Sequence, residues 1–147
     1  MNKAIWILIT FIAGAFLPIQ AGLNAKLGKA GQSAVHASLT SFIVGTLALG
    51  LYVLLTRQAV SWEGLKAAPA YAWMGGLLGA FYVTVIVLAF PQLGPGLTFG
   101  LVVTGQMVFS LLLEHYSILV ASPSPISWQK VLGVALIVGG VLLIRKV

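Results

Sequence analysis

The chain's capacity for polar chemistry rests on few side chains. It has two acidic residues, Glu63 and Glu114, two histidines, His36 and His115, and neither Cys nor Asp. Without Cys there is no thiol nucleophile, disulfide or thiolate metal site. His115 adjoins Glu114, but neighbours on a helix point about 100° apart, and His36 has no second histidine near it. No metal site and no cofactor is expected. A Ser–His–acid arrangement is also missing, so an enzyme is the least supported class. What remains is a set of polar groups at helical spacing within apolar stretches. In residues 94–116, GPGLTFGLVVTGQMVFSLLLEHY, Gln106, Ser110 and Glu114 recur every four residues and form one slowly drifting stripe. A carboxylate in a membrane helix normally faces a partner or a water-filled cavity. Gln106, Ser110 and Glu114 are therefore read as substrate- or ion-binding candidates, with Glu114 the candidate for carrying a coupling proton. Gln20 and Asn24, one turn apart beyond Pro18, form a second polar pair. They are either interfacial amides or the lining of a cavity at a kinked helix. His36 lies near a helix start, where hydrogen bonding at the interface is the ordinary role and solute binding the sharper one.

Those residues must be held by elements that live in lipid. Of the 147 residues, 60% are hydrophobic and only 7% charged, with a mean hydropathy of +1.08. A soluble domain carries about 25% charged residues, and no soluble fold could hide this much apolar surface. The apolar runs divide into five expected spanning helices, roughly 4–24, 33–56, 70–90, 96–118 and 128–145, each near the ~20 residues a bilayer requires. The expected fold is thus an all-α membrane protein with five transmembrane helices in a single domain over residues 1–147. The N-terminal run continues well past a signal-peptide core and is read as a retained helix. Pro18 should loosen the turn back to Gly14, and Ser33 and Ser127 are placed to cap the helices that follow them. Residues 57–69 form the longest polar connection. Residues 91–95, PQLGP, read as a tight turn, and Ser122 with Pro123, Ser124 and Pro125 as a segment that cannot be helical. Small residues at four-residue spacing mark expected helix packing: Gly75 and Gly79, Gly96 and Gly100, and Ser41 and Gly45.

Five spans put the two ends on opposite faces. Lys3, Arg57, Lys66 and Lys130 then share one face, and Lys26, Lys29, Arg145 and Lys146 the other. Orientation follows the Lys/Arg bias between faces, and here the bias vanishes. The net charge of +6 lies at segment ends rather than in one patch, so no nucleic-acid partner is expected. Trp6, Trp62, Trp73 and Trp128 all fall on the first face, whereas aromatic belts ordinarily form at both. An antiparallel pair of chains would supply one set to each. Depth points the same way. With helix centres near residues 14 and 106, Gln20 lies roughly 9 Å toward one face and Glu114 roughly 11–12 Å toward the other. Inverting a second chain brings these two levels together.

Several segments carry a resemblance. They are GAFLPIQAGLNAKLG at 14–28, SFIVGT at 41–46, GGLLGAFYV at 75–83, the PQLG turn, GQ followed by SLLLEHY, and LGVALIVGGVLL at 132–143. In this order they resemble the YdcZ-type five-helix family of the drug/metabolite transporter superfamily, over nearly the whole chain. Members of that family often have an acid before the His, and Glu114 fits; their usual Gly after the aromatic is Ser117 here. The resemblance implies a half-size transporter similar to one repeat of the ten-helix transporters, working as an antiparallel inverted-repeat dimer in the inner membrane. The expected function is alternating-access transport of a small organic solute, with the lipid bilayer and a second copy as its partners. A lipid-handling, flippase-like protein and a non-transporting accessory subunit are the alternatives.

Overall fold

A computed structural model describes residues 2–120 and 123–145; Ser122 and Lys146, named above, lie outside them. Among the described residues the structure is helical, without strands. The elements are α1 (Lys3–Ala30), α2 (Ala34–Thr56), a short α3 (Trp62–Ala67), a 3-10 turn (Ala70–Met74), α4 (Gly75–His115) and α5 (Trp128–Arg145). They fall into two compact units, Met1–Pro91 and Gln92–Val147.

Four helical segments of the described chain are long and apolar enough to cross a membrane, and the third, Ala70–His115, has 46 residues. That is about twice the ~20 residues that one crossing of the hydrocarbon core requires. It divides at Gly94, whose φ of 73° and ψ of 163° are not helical. The third and fourth expected spans are its two arms, 75–93 and 95–115. The expected tight turn at 91–95 is corrected here: helix runs up to Gly94 and resumes after it. Pro91 and Pro95 have no N–H for the carbonyls of Val87 and Pro91, so the ladder is already weakened on both sides. Gly94 takes up the break in a region that is essentially glycine-only.

In the first unit α1 runs through Pro18 without interruption and six residues further than expected. Packing holds its extra length. A Cβ on Gly28 would stand 3.1 Å from Val87, 3.5 Å from Ala37 and 3.6 Å from Ala34, so the small residue lets α2 and the first arm of α4 come close. Asn2 caps α1 by accepting from Ala4 N–H at 3.2 Å, and Ser33 caps α2 by accepting from His36 N–H at 3.2 Å. Ser61 does the same for Gly64 at 3.1 Å, which turns part of the expected polar connection into α3. In the second unit Lys130 N–H lies 3.4 Å from Ser127 Oγ at the start of α5. The second arm of α4 packs on α5 through small residues. A Cβ on Gly96 would meet Ile144 at 3.4 Å, and one on Gly100 would meet Val141 at 2.8 Å.

Buried apolar residues are few: Ala21, Ala37, Ile86, Val87 and Val141 among those described. Large side chains such as Phe11, Leu47, Leu54 and Phe81 stand outward. This inversion of the soluble pattern suits a chain whose solvent is hydrocarbon, where packing and hydrogen bonds hold helices together.

Candidate functional site

The polar groups of the first unit gather where α1 and α2 meet. Gln20 and Asn24 lie one turn apart and share a face of α1. Asn24 is buried, and its Nδ2 donates to Ser41 Oγ on α2 at 3.2 Å. Burial of an amide requires such a partner. Beside this bond lies an open cleft of about 240 Å³, lined by Gln20, Ser41, Phe42, Gly45, Thr46, Leu49 and Val83. Residues 41, 42, 45, 46 and 49 follow the helical repeat along one side of α2, and Val83 comes from the first arm of α4. The Phe42 ring is seated over Gly79, where a Cβ would be 3.4 Å from its edge.

The hydroxyls differ in what they are free to do. Ser38, Thr40, Thr56 and Thr104 each donate to the carbonyl one turn back, at 2.7–2.9 Å. Thr46, on the cleft, makes no such bond. Ser41 accepts from Asn24 and keeps its own proton to give. The cleft therefore offers an amide and two hydroxyls beside an aromatic and an aliphatic wall, and no charged side chain lines it.

His36 is not part of this cleft. It is exposed, and its Nδ1 lies 2.9 Å from Ser33 Oγ at the start of α2. Gly45 lines the cleft but, like Gly75, has no atom within 4 Å of the Cβ it lacks.

In the second unit Glu114 has a partner. Lys130 Nζ donates to Glu114 Oε2 at 2.7 Å, to Ser124 Oγ at 2.8 Å and to the Ser124 carbonyl at 3.2 Å. A carboxylate at the C-terminal end of α4 and an ammonium in the first turn of α5 each oppose their own helix dipole. Pairing them relieves both and ties the connection between the helices to its ends. Gln106 and Ser110 are exposed, and their side chains form no hydrogen bond among the described residues. The Gln106–Ser110–Glu114 stripe thus holds one paired carboxylate and two groups open to the outside.

Phe42, Thr46, Leu49, Val83 and Lys130 were not singled out by sequence reasoning. Thr46 follows Gly45 and lies on the flank of the small-residue face of α2, which was the available signal. Lys130 falls on the same face as Glu114 in the five-span topology, so pairing the two was open to inference.

Residues 5–143 match the family described as "Putative inner membrane exporter, YdcZ". The chain belongs to this family. It is 24% identical over 118 residues to the Inner membrane protein YdcZ of Escherichia coli (strain K12), covering 79% of this chain and 78% of that protein. No solved structure matches it. Family and spanning-length helices together make this an integral protein of the inner membrane.

Proposed function

We propose that this chain is half of an alternating-access transporter that moves a small organic solute, two copies pairing antiparallel with the cleft on α1 and α2 as the solute contact. It acts without covalent chemistry. The observation that carries the reading is the cleft itself: Gln20, Ser41 and Thr46 present unsatisfied hydrogen-bonding capacity on helices of spanning length, in a chain of an exporter family. Polar groups are kept in hydrocarbon only where they meet a partner or a cavity. The exposed Gln106 and Ser110 need a partner for the same reason, and a second copy can supply it. Inverted repeats place the solute near the midplane between halves.

Because the chain lacks Cys, single cysteines can report orientation and access separately. Cysteines added at either end of the chain should label to about half in intact cells with an impermeant maleimide, since an unbiased chain inserts both ways. Thr46→Cys should instead label to completion, because each cleft visits the outside in turn. A Thr46→Cys signal that stops at the same plateau as the ends would show a cleft with fixed access and would end the alternating-access reading.

A further inference from the structure

The chemistry of the cleft specifies the kind of solute. We infer that the cleft takes an uncharged molecule with an aromatic or apolar face and at least one group that both donates and accepts hydrogen bonds. This rests on the reading of the cleft as the solute site.

The charged side chains decide the class of solute. The chain has two acids. Glu63 is exposed on α3, in the connection between spans. Glu114 is bonded to Lys130 at 2.7 Å. Neither lines the cleft, so a cation entering it would leave water without a counter-charge, the costly case for transfer into an apolar medium. An anion fares no better. The nearest base along α1 is Lys26, six residues or ~9 Å of helix from Gln20, and Arg57 is eleven residues or ~16 Å beyond Thr46. In a second copy Glu114 would likewise come together with Lys130. The pair carries no net charge.

A neutral polar solute meets the site on equal terms. The Gln20 amide both donates and accepts, as do the Ser41 and Thr46 hydroxyls. Phe42, with its ring beside Gly79, offers a face for stacking, and Leu49 and Val83 complete an apolar wall. At about 240 Å³ the cleft is smaller than the ~300–1,000 Å³ typical of drug-sized sites, which favours a single-ring or similarly compact solute.

Three probes of one shape and different charge test this at neutral pH: benzamide, benzamidinium and benzoate. The readout is the alkylation rate of Thr46→Cys in membranes by N-ethylmaleimide, with Leu49→Cys as a second reporter should the first fail to assemble. Cysteine at Val44, exposed and away from the cleft, is the control. Benzamide should slow alkylation at a concentration at least tenfold below that needed for either ion, and only at the cleft reporters. Adding Gln20→Glu supplies the missing carboxylate and should move the preference at least tenfold toward benzamidinium. Protection of the Gln20-containing cleft by either ion at or below the benzamide concentration overturns the neutral class while keeping the cleft as a site. If none of the three protects reporters that do alkylate, the cleft is not a site for such solutes, and both the inference and the cleft's assigned role are lost.

Discussion

Single residues show how little freedom the packed contacts have. A Cβ on Gly100 would come within 2.8 Å of Val141 Cγ2, 3.3 Å of Cγ1 and 3.5 Å of Cβ. Three atoms of a side chain that is stiff at χ1 cannot all retreat by rotation. Gly100→Ala is therefore expected to destabilise the second unit by about 1–3 kcal/mol, the usual range for overpacking, measured by thermal unfolding in detergent. Val141→Ala in the same chain should restore part of the loss, and a double mutant no more stable than Gly100→Ala would place the strain elsewhere. Ser117 gives the opposite case. It has a φ of 57°, in the left-handed region where residues other than glycine pay about 1–2 kcal/mol. It stands where the family resemblance led one to expect glycine, and the conformation supplies the physical reason. Ser117→Gly should raise the unfolding midpoint, by up to about 1 kcal/mol of stability once glycine's greater unfolded-state freedom is subtracted; an unchanged or lower midpoint would count against this account.

Elements were legible in the sequence wherever hydrophobic length decided them, and less so where closure did. The span 128–145 needs no change, and α2 differs from its expected start by one residue. Helix ends were harder to see. Three helices close with a bond from the N–H five residues on: Ser33 to the Gly28 carbonyl at 3.0 Å, Gln58 to Val53 at 3.3 Å, and Ile118 to Leu113 at 2.9 Å. The residues before those donors, Gln32, Arg57 and Ser117, are all left-handed. Such closures usually announce themselves by a glycine at that place, and none is there. Of the candidate site, Gln20, Asn24, Ser41 and Gly45 were visible because they stood out as polar or small at helical spacing. Phe42, Leu49 and Val83 were not, since an apolar wall in an apolar helix carries no compositional mark. Thr98 is not on the cleft; it is buried in the second unit, and its Oγ1 has no hydrogen-bond partner among the described residues. The residue one turn back is Gly94, where the backbone leaves the helical conformation. The Glu114–Lys130 pair belongs to this scale because it fastens the connection between α4 and α5. Both side chains are about 30% exposed (27% and 33%), where ion pairs contribute about 0–1 kcal/mol. Glu114→Gln keeps an acceptor for Lys130, so a small stability loss within that range is expected, with faster proteolysis in the connection 116–127. Loss of pH-driven transport in this variant would assign a coupling proton to Glu114.

At the scale of the whole molecule the decisive property is a balance of charges. On the five-span topology expected from the sequence, four basic side chains would fall on each face, and loop charge sets orientation. A chain without bias can supply both members of an antiparallel pair from one gene product. The polar groups left outward, Gln106 and Ser110 in one unit and the cleft lip at Gln20 in the other, are what such a pair would cover. The consequence can be tested without knowing the solute. Two lysines added to the 57–61 connection should drive nearly all chains to one orientation, read as complete labelling of a cysteine at one end and none at the other. In that population the cleft has no inverted partner, so Thr46→Cys should lose the access from both sides expected of the balanced chain. Co-expressing a copy with two lysines added to the 30–33 connection, which biases it the other way, should restore that access. If Thr46→Cys keeps its two-sided access in the single-orientation population, the working unit is not an antiparallel pair, and the balance of charges has another cause.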